Sequence, residues 1–92
     1  MSMRRVAITG LGVICTLGSK REEFWEALRE GRSGIGPLES VDCNNLRFRN
    51  GAEVRGYTHA RYFEDREADF LDRFAQFAVI ASREAVASAG VS

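Results

Sequence analysis

Apolar and polar positions alternate along this chain in three distinct rhythms. From Arg5 to Val13 a β-branched run, Val6-Ala7-Ile8-Thr9, leads into Gly10-Leu11-Gly12-Val13. Such residues favour extended backbone, and two glycines allow angles or close approaches that a side chain forbids, so this stretch predicts a buried strand leaving into a tight loop. From Lys20 to Glu30 the rhythm is helical. Phe24, Ala27 and Leu28 share one face with Trp25 at its margin, and Lys20, Arg21, Glu23, Glu26 and Arg29 form the wet side. Ser19 and Glu22 have capping-box spacing, Gly31 is placed to end the helix, and Phe24-Trp25 is expected to anchor a core. A second, longer helix is expected from Asp65 or Arg66 to Ala89, stopped by Gly90. Its stripe of Leu71, Phe74, Ala78, Ala81, Ala85 and Ala89, widened by Phe70 and Phe77, predicts a helix sandwiched between neighbours whose backbones come close to its small residues.

Between these elements the patterns are weaker. Gly31 to Pro37 reads as a loop, with three glycines and a proline in seven positions. Val41 and Leu46 are expected to dip inward, Asn44-Asn45 and Asn50-Gly51 to turn, and Ala52-Glu53-Val54 to form a short edge strand or hairpin arm. One clear strand, one short strand and two helices do not close a domain, because a lone strand leaves its edges unpaired and a widely apolar helix needs cover. Residues 1–92 are therefore expected to be the leading piece of a larger protein, with no complete domain of their own.

Composition narrows the function classes. Thirteen basic and thirteen acidic residues give a formal net charge of zero, which removes any bulk electrostatic drive towards nucleic acid or an anionic membrane. Arg4 and Arg5 before Val6 to Gly18 imitate a secretion signal. However, glycines and threonines dilute the run, no small-x-small cleavage site follows, and it is too short to span a bilayer. A cytoplasmic protein is expected, with Cys15 and Cys43 reduced. Neither cysteine has a second thiol or a histidine nearby to complete a zinc site.

The strand-to-glycine exit raises a nucleotide site, and the residues that follow oppose one. A dinucleotide fingerprint needs a third glycine where Cys15 stands, and the short-chain dehydrogenase variant needs glycines at Ile14 and Thr16. The acidic residue at the right distance, Glu30, closes a helix instead of ending a second strand. A P-loop is excluded by the lack of Gly-Lys-Ser/Thr. His59, between Tyr57 and Tyr62, has no thiol or carboxylate pair at a recognisable spacing and reads as a solvated loop histidine.

Two separated blocks carry a more specific signal. RRVAITGLGVICTLGSKREEFWEALREGRSGIGPLESVD resembles the opening of β-ketoacyl-acyl carrier protein synthases, with Gly18, Trp25, Leu28, Gly31, Ser33-Gly34-Ile35 and Val41-Asp42 at the family's positions. LDRFAQFAVIASREAVASAGV, from Leu71 to Val91, is similar to the same family's Asp-Arg-x-x-Gln-Phe/Leu-Ala helix.

The resemblance implies an α/β fold, the N-terminal part of a thiolase-like αβαβα sandwich built from two related βαβαβαββ halves and usually paired as a homodimer. It also implies acyltransfer by decarboxylating Claisen condensation in fatty-acid or polyketide biosynthesis, with acyl carrier protein as partner and no cofactor or metal. In that chemistry a cysteine holds the acyl chain as a thioester while two histidines assist decarboxylation of the malonyl donor. All three family residues fall beyond Ser92, so no catalytic residue is expected here, and neither Cys15, Cys43 nor His59 stands at their positions. In bacterial fatty-acid members, basic residues at the helix start that corresponds to Arg66 to Arg73 dock the acidic carrier protein. Arg66 keeps that character, whereas Asp69 and Phe70 replace basic residues and deplete the patch. The alternative is a stand-alone, non-catalytic interaction module or a chain-length-factor-like partner of a synthase.

Overall fold

The computed structural model describes residues 3–91. In chain order the elements are α1 (Arg21–Arg29), β1 (Gly36–Pro37), β2 (Asn50–Gly51), a 3-10 turn (His59–Arg61), α2 (Asp65–Ala68) and α3 (Arg73–Ala89). Strands β1 and β2 pair antiparallel, Gly36 opposite Gly51 and Pro37 opposite Asn50. The framework is open: its radius of gyration is 16.6 Å, against about 12 Å for a compact chain of this length. Ala27, Phe63 and Ile80 form its small buried centre, together with Gln76.

The end of α1 follows the expectation in detail. Glu30 closes the helix, Gly31 adopts φ 68°, and the Gly31 and Arg32 amides donate to the Leu28 and Ala27 carbonyls at 3.1 and 2.9 Å. That double bond pattern is a Schellman motif, and it satisfies carbonyls the helix would leave bare. The start of α1 departs from the expectation. The residue preceding the helix is Lys20, no Ser19–Glu22 box forms, and the Ser19 amide donates to Glu23 Oε1 at 3.0 Å. Glu22 is instead held sideways by the Arg21 guanidinium at 3.0 Å. Trp25 is 60% exposed and is not a core anchor; Ala27, two positions on, takes the buried place on α1.

The largest correction concerns the first segment. Among the described residues, those from 3 to 14 belong to no sheet, and Val6 and Ile8 are 89% and 81% exposed. No neighbouring strand lies beside them, so the backbone turns to polar side chains of α3. The Leu11 amide donates to Ser88 Oγ at 3.4 Å and the Val13 amide to Glu84 Oε1 at 2.8 Å. The anticipated close approach does occur. A Cβ at Gly10 would collide with the Ala85 carbonyl oxygen and lie 2.7 Å from Ala89 N, and one at Gly12 would collide with the Ala81 carbonyl oxygen. Glycines and alanines thus bring two backbones together on one side of α3. The helix is not sandwiched: Phe74 and Ala78, earlier on the same stripe, and Val86 beside it are exposed.

The long helix is broken. Its first turn is α2, where the Glu64 amide donates to Glu67 Oε1 at 3.2 Å. The bonds then tighten to i→i−3 spacing at Phe70 and Leu71, Asp72 swings to ψ 162°, and α3 restarts with Gln76 N–H on the Asp72 carbonyl at 2.9 Å. The Leu71 carbonyl, freed by the break, accepts from Gln76 Nε2 at 3.0 Å. Apolar periodicity runs through this junction unaltered, which is why the break is invisible in the hydrophobic pattern. Gly90, with φ 73°, stops α3 as expected.

In the middle of the chain, the expected strand at Ala52–Val54 is displaced to Asn50–Gly51, two residues read as a turn, and its partner comes from the glycine loop. Gly51 and Gly36 fit because a Cβ there would press on Leu38 and on the Arg55 guanidinium. Arg55 donates to the carbonyls of Gly34 and Pro37 at 3.3 and 2.9 Å, and Thr16 Oγ1 donates to the Gly34 carbonyl at 2.8 Å.

Candidate functional site

Arg66 lies on the four-residue helix α2, exposed, with Asp65, Glu67 and Asp69 around it. Phe70, immediately after this helix, is 88% exposed. The helix break therefore presents a predominantly acidic corner with a bare aromatic ring, which is the reverse of the charge expected at a surface for an acidic partner.

The thiols and the histidine stand apart from one another. Cys15 is in a tight turn closed by reciprocal bonds with Gly18, at 2.9 and 3.2 Å, and Cys43 Sγ donates to the Val41 carbonyl at 3.7 Å. No disulfide joins them among the described residues. His59 is exposed, as expected of a loop histidine, and the 3-10 turn brings its Nε2 to 3.4 Å from a single carboxylate oxygen, Asp65 Oδ1. Both side chains of that pair are exposed, so the contact supplies no desolvated acid or base. No group of metal-ligating side chains occurs among the described residues.

The buried polar chemistry centres on Gln76. Its Oε1 accepts from the Tyr57 hydroxyl while its Nε2 holds the Leu71 carbonyl, so all three groups at the helix break are satisfied. Tyr57 stands edge-on to Phe77 at 4.8 Å, and the Arg73 guanidinium lies over its ring at 5.2 Å. Burial raises the Tyr57 pKa above its ordinary value, and the Arg73 charge opposes that shift without overcoming it. This is a packing joint: among the described residues no buried side-chain nitrogen or oxygen is left without a partner.

Two carboxylates that sequence reasoning did not single out organise the rest. Glu84 bridges Val13 N–H and Arg21 N–H, at 2.8 and 3.0 Å, and so ties the glycine segment, the start of α1 and α3 together. Its signal was available: Glu84 and Ser88 are polar, four residues apart, and embedded in a run of alanines, so they share a face that must meet polar groups. Glu53 accepts from the amides of Glu39 and Ser40, and from Ser40 Oγ at 2.7 Å. These bonds, the Ser40 hydroxyl first and the Glu39 amide next, hold its carboxyl below the usual glutamate pKa. A depressed folded-state pKa contributes order that is present above the unfolded value and lost as pH falls through the folded one. Amide-exchange protection at Glu39 and Ser40 is expected to fall as Glu53 protonates in the acid range, and to be lost at neutral pH in Glu53→Ala. Unchanged protection in both would show that this carboxylate holds nothing.

Comparison with known proteins agrees with this layout. The family model for the β-ketoacyl synthase N-terminal domain matches residues 3–92. The 3-oxoacyl-[acyl-carrier-protein] synthase 2 of Synechocystis sp. is 38% identical over 86 residues, 94% of this chain and 21% of that protein. Nodulation protein E of Rhizobium sp. is 42% identical over 90 residues, 97% of this chain and 22% of its own length. The solved structure of the ishigamide ketosynthase/chain length factor superposes with a TM-score of 0.87 at 36% identity, covering 99% of this chain and 23% of that one. The chain spans about a fifth of the length of the curated relatives it matches. Since the match runs from the glycine segment through α1 and the helix break to the end of α3, the chain belongs to the β-ketoacyl synthase family, within its N-terminal domain.

Proposed function

We propose that this chain is the N-terminal segment of a 3-oxoacyl-[acyl-carrier-protein] synthase, and that its own role is to build the first layer of the domain while chemistry takes place elsewhere in the whole protein. The observation that carries this reading is the family match across residues 3–92. In the whole enzyme, loss of CO2 from a malonyl group on acyl carrier protein generates an enolate. The enolate carbon attacks the thioester carbonyl of a cysteine-bound acyl chain, and the cysteine thiolate leaves as the new carbon–carbon bond forms. The catalytic cysteine and two histidines expected beyond Ser92 lie outside the described residues. The bare Val6 and Ile8 and the open side of α3 support completion of the fold by further strands and helices, as an αβαβα sandwich; a homodimer working in the cytoplasm is part of the same proposal. The likeness to a ketosynthase/chain length factor structure favours one second reading, a non-catalytic partner of a synthase.

The test is a condensation assay on the intact protein, following 3-oxoacyl product and CO2 released from malonyl-acyl carrier protein. Condensing activity is expected there and not in residues 1–92 alone. Its absence from the intact protein favours the non-catalytic partner. Cys15→Ser and Cys43→Ser, made separately in the intact protein, are expected to leave kcat/KM within about twofold, a difference well under 1 kcal/mol in barrier. A fall of about 1000-fold in either would place the nucleophile in this segment and overturn the reading.

A further inference from the structure

Between Asp69 and Asp72 the fold opposes the local sequence. This stretch holds no glycine or proline, and the apolar stripe runs across it from Phe70 to Phe74 and Phe77 at helical spacing. Asp72, at ψ 162° ahead of α3, makes no capping bond with its side chain. Among the described residues the amides of Asp72, Arg73, Phe74 and Ala75 have no backbone acceptor, although one continuous helix would bond each of them to the residue four positions earlier. Instead α2 is folded back along α3. Glu67 and Arg83 meet at 3.9 Å, whereas the rise of a continuous helix from 67 to 83 would set them about 24 Å apart.

We propose that Asp65 to Ala89 has two packings, a broken helix and a continuous one, and that the Tyr57–Gln76 pair is the latch that holds it broken. Gln76, buried in α3, caps the Leu71 carbonyl with Nε2 at 3.0 Å and accepts the Tyr57 hydroxyl on Oε1. In a continuous helix the Leu71 carbonyl belongs to the Ala75 amide, so the two packings give one acceptor to different donors. Tyr57 supplies what the local sequence lacks. Its hydroxyl orients the Gln76 amide group, and its ring is seated against Phe77 and under the Arg73 guanidinium, which also donates to the Val54 carbonyl at 3.4 Å. Release of the latch exchanges two side-chain hydrogen bonds for four backbone ones, and the exposed Glu67–Arg83 pair is a weak opponent of that exchange. One buried amide group thus sets whether α2 stands alongside α3 or in line with it, as two discrete packings of one sequence. This holds whether the whole protein condenses acyl groups or only partners a synthase.

The experiment is hydrogen exchange of the intact protein, read at Phe74 and Ala75 and corrected for intrinsic rates. Loss of an ordinary structural contact speeds exchange nearby, whereas loss of this latch slows it, because both amides gain helical partners. Gln76→Leu keeps the bulk and helix preference of glutamine without its polar groups, and is expected to slow exchange at both amides about tenfold, the change produced when about nine molecules in ten take the continuous form. Tyr57→Phe, which removes the hydroxyl alone, is expected to slow it about threefold. Adding Arg73→Pro to Gln76→Leu should return exchange to the rate of the unaltered protein, since proline suits the first position of α3 and bars Asp72 from helical backbone. Unchanged or faster exchange at Phe74 and Ala75 in both Gln76→Leu and Tyr57→Phe would overturn the latch, as would slowing that survives Arg73→Pro. Should Gln76→Leu fail to fold, Tyr57→Phe alone decides.

Discussion

Replacing Gly12 with alanine is expected to lift the glycine segment off α3 and to destabilise the protein by about 3 kcal/mol, the upper part of the range for overpacking. The new methyl would collide with the Ala81 carbonyl oxygen and sit 2.9 Å from Ala85 N. Both obstacles are backbone atoms of a hydrogen-bonded helix, so no rotamer change can relieve the clash. Separation of the segments also removes the Val13–Glu84 bond, which lies one residue away. Denaturant unfolding of the intact protein, with amide exchange read at Val13, measures the effect. Gly31→Ala is an informative comparison: Gly31 has open space around its Cβ position but a positive φ, so its cost is backbone strain alone, about 1 kcal/mol. Equal losses in the two variants would show that packing against α3 is not what demands glycine at position 12.

Glu84→Ala is the second large expected effect. One carboxylate accepts two backbone amides from different segments, and its removal strands donors at Val13 and Arg21 together. Hydrogen bonds to a charged group contribute about 1.5–3 kcal/mol each when shielded, but the Arg21 amide is exposed and can turn to water. The expected loss is therefore about 2 kcal/mol, with faster exchange concentrated at Val13. Glu84→Gln keeps one carbonyl acceptor and turns an NH2 group towards the other amide, so it should recover only part of that loss. Full recovery by glutamine would show that the second bond contributes little. A loss by alanine of a few tenths of a kcal/mol would remove Glu84 as the tie between the three segments.

The contrast between these two sites and the α2–α3 junction shows which physical signals a sequence carries. Gly31 and Gly90 announce helix ends because only glycine adopts their positive φ cheaply, and both helices stop there. Gly10 and Gly12 announce close packing for the same steric reason, although what they pack on is distant in the chain. Strand pairing has no such local code. Val6 and Ile8 have strand chemistry, yet a strand is defined by the neighbour that completes its hydrogen bonds, and no neighbour lies beside them among the described residues. The break at Asp69 to Asp72 was equally illegible, since no proline or glycine marks it and the apolar stripe continues across it. What holds that break is Gln76, whose position in the helix pattern predicts no partner. Arg66 was readable as a charge on a helix start whose basic patch Asp69 depletes, but not as part of a separate turn, α2, cut off from the long helix. Family membership was legible because it depends on residue order in two blocks and not on any contact geometry.

The bond between Val13 and Glu84 also carries a consequence for synthesis. These partners are 71 positions apart. A ribosome adding about 5–20 residues per second therefore releases the glycine segment several seconds before α3 exists to receive it. The Schellman end of α1, by contrast, closes within a few residues and is complete almost as soon as Arg32 emerges. During that interval Val6 and Ile8 travel with an unpaired backbone edge, the kind of exposure that invites association with other nascent chains. Because Val6 and Ile8 stay bare once α3 is in place, slowing translation between Arg32 and Ala81 is expected to lower the soluble yield of the protein, and the same delay placed after Ala89 to lower it as well.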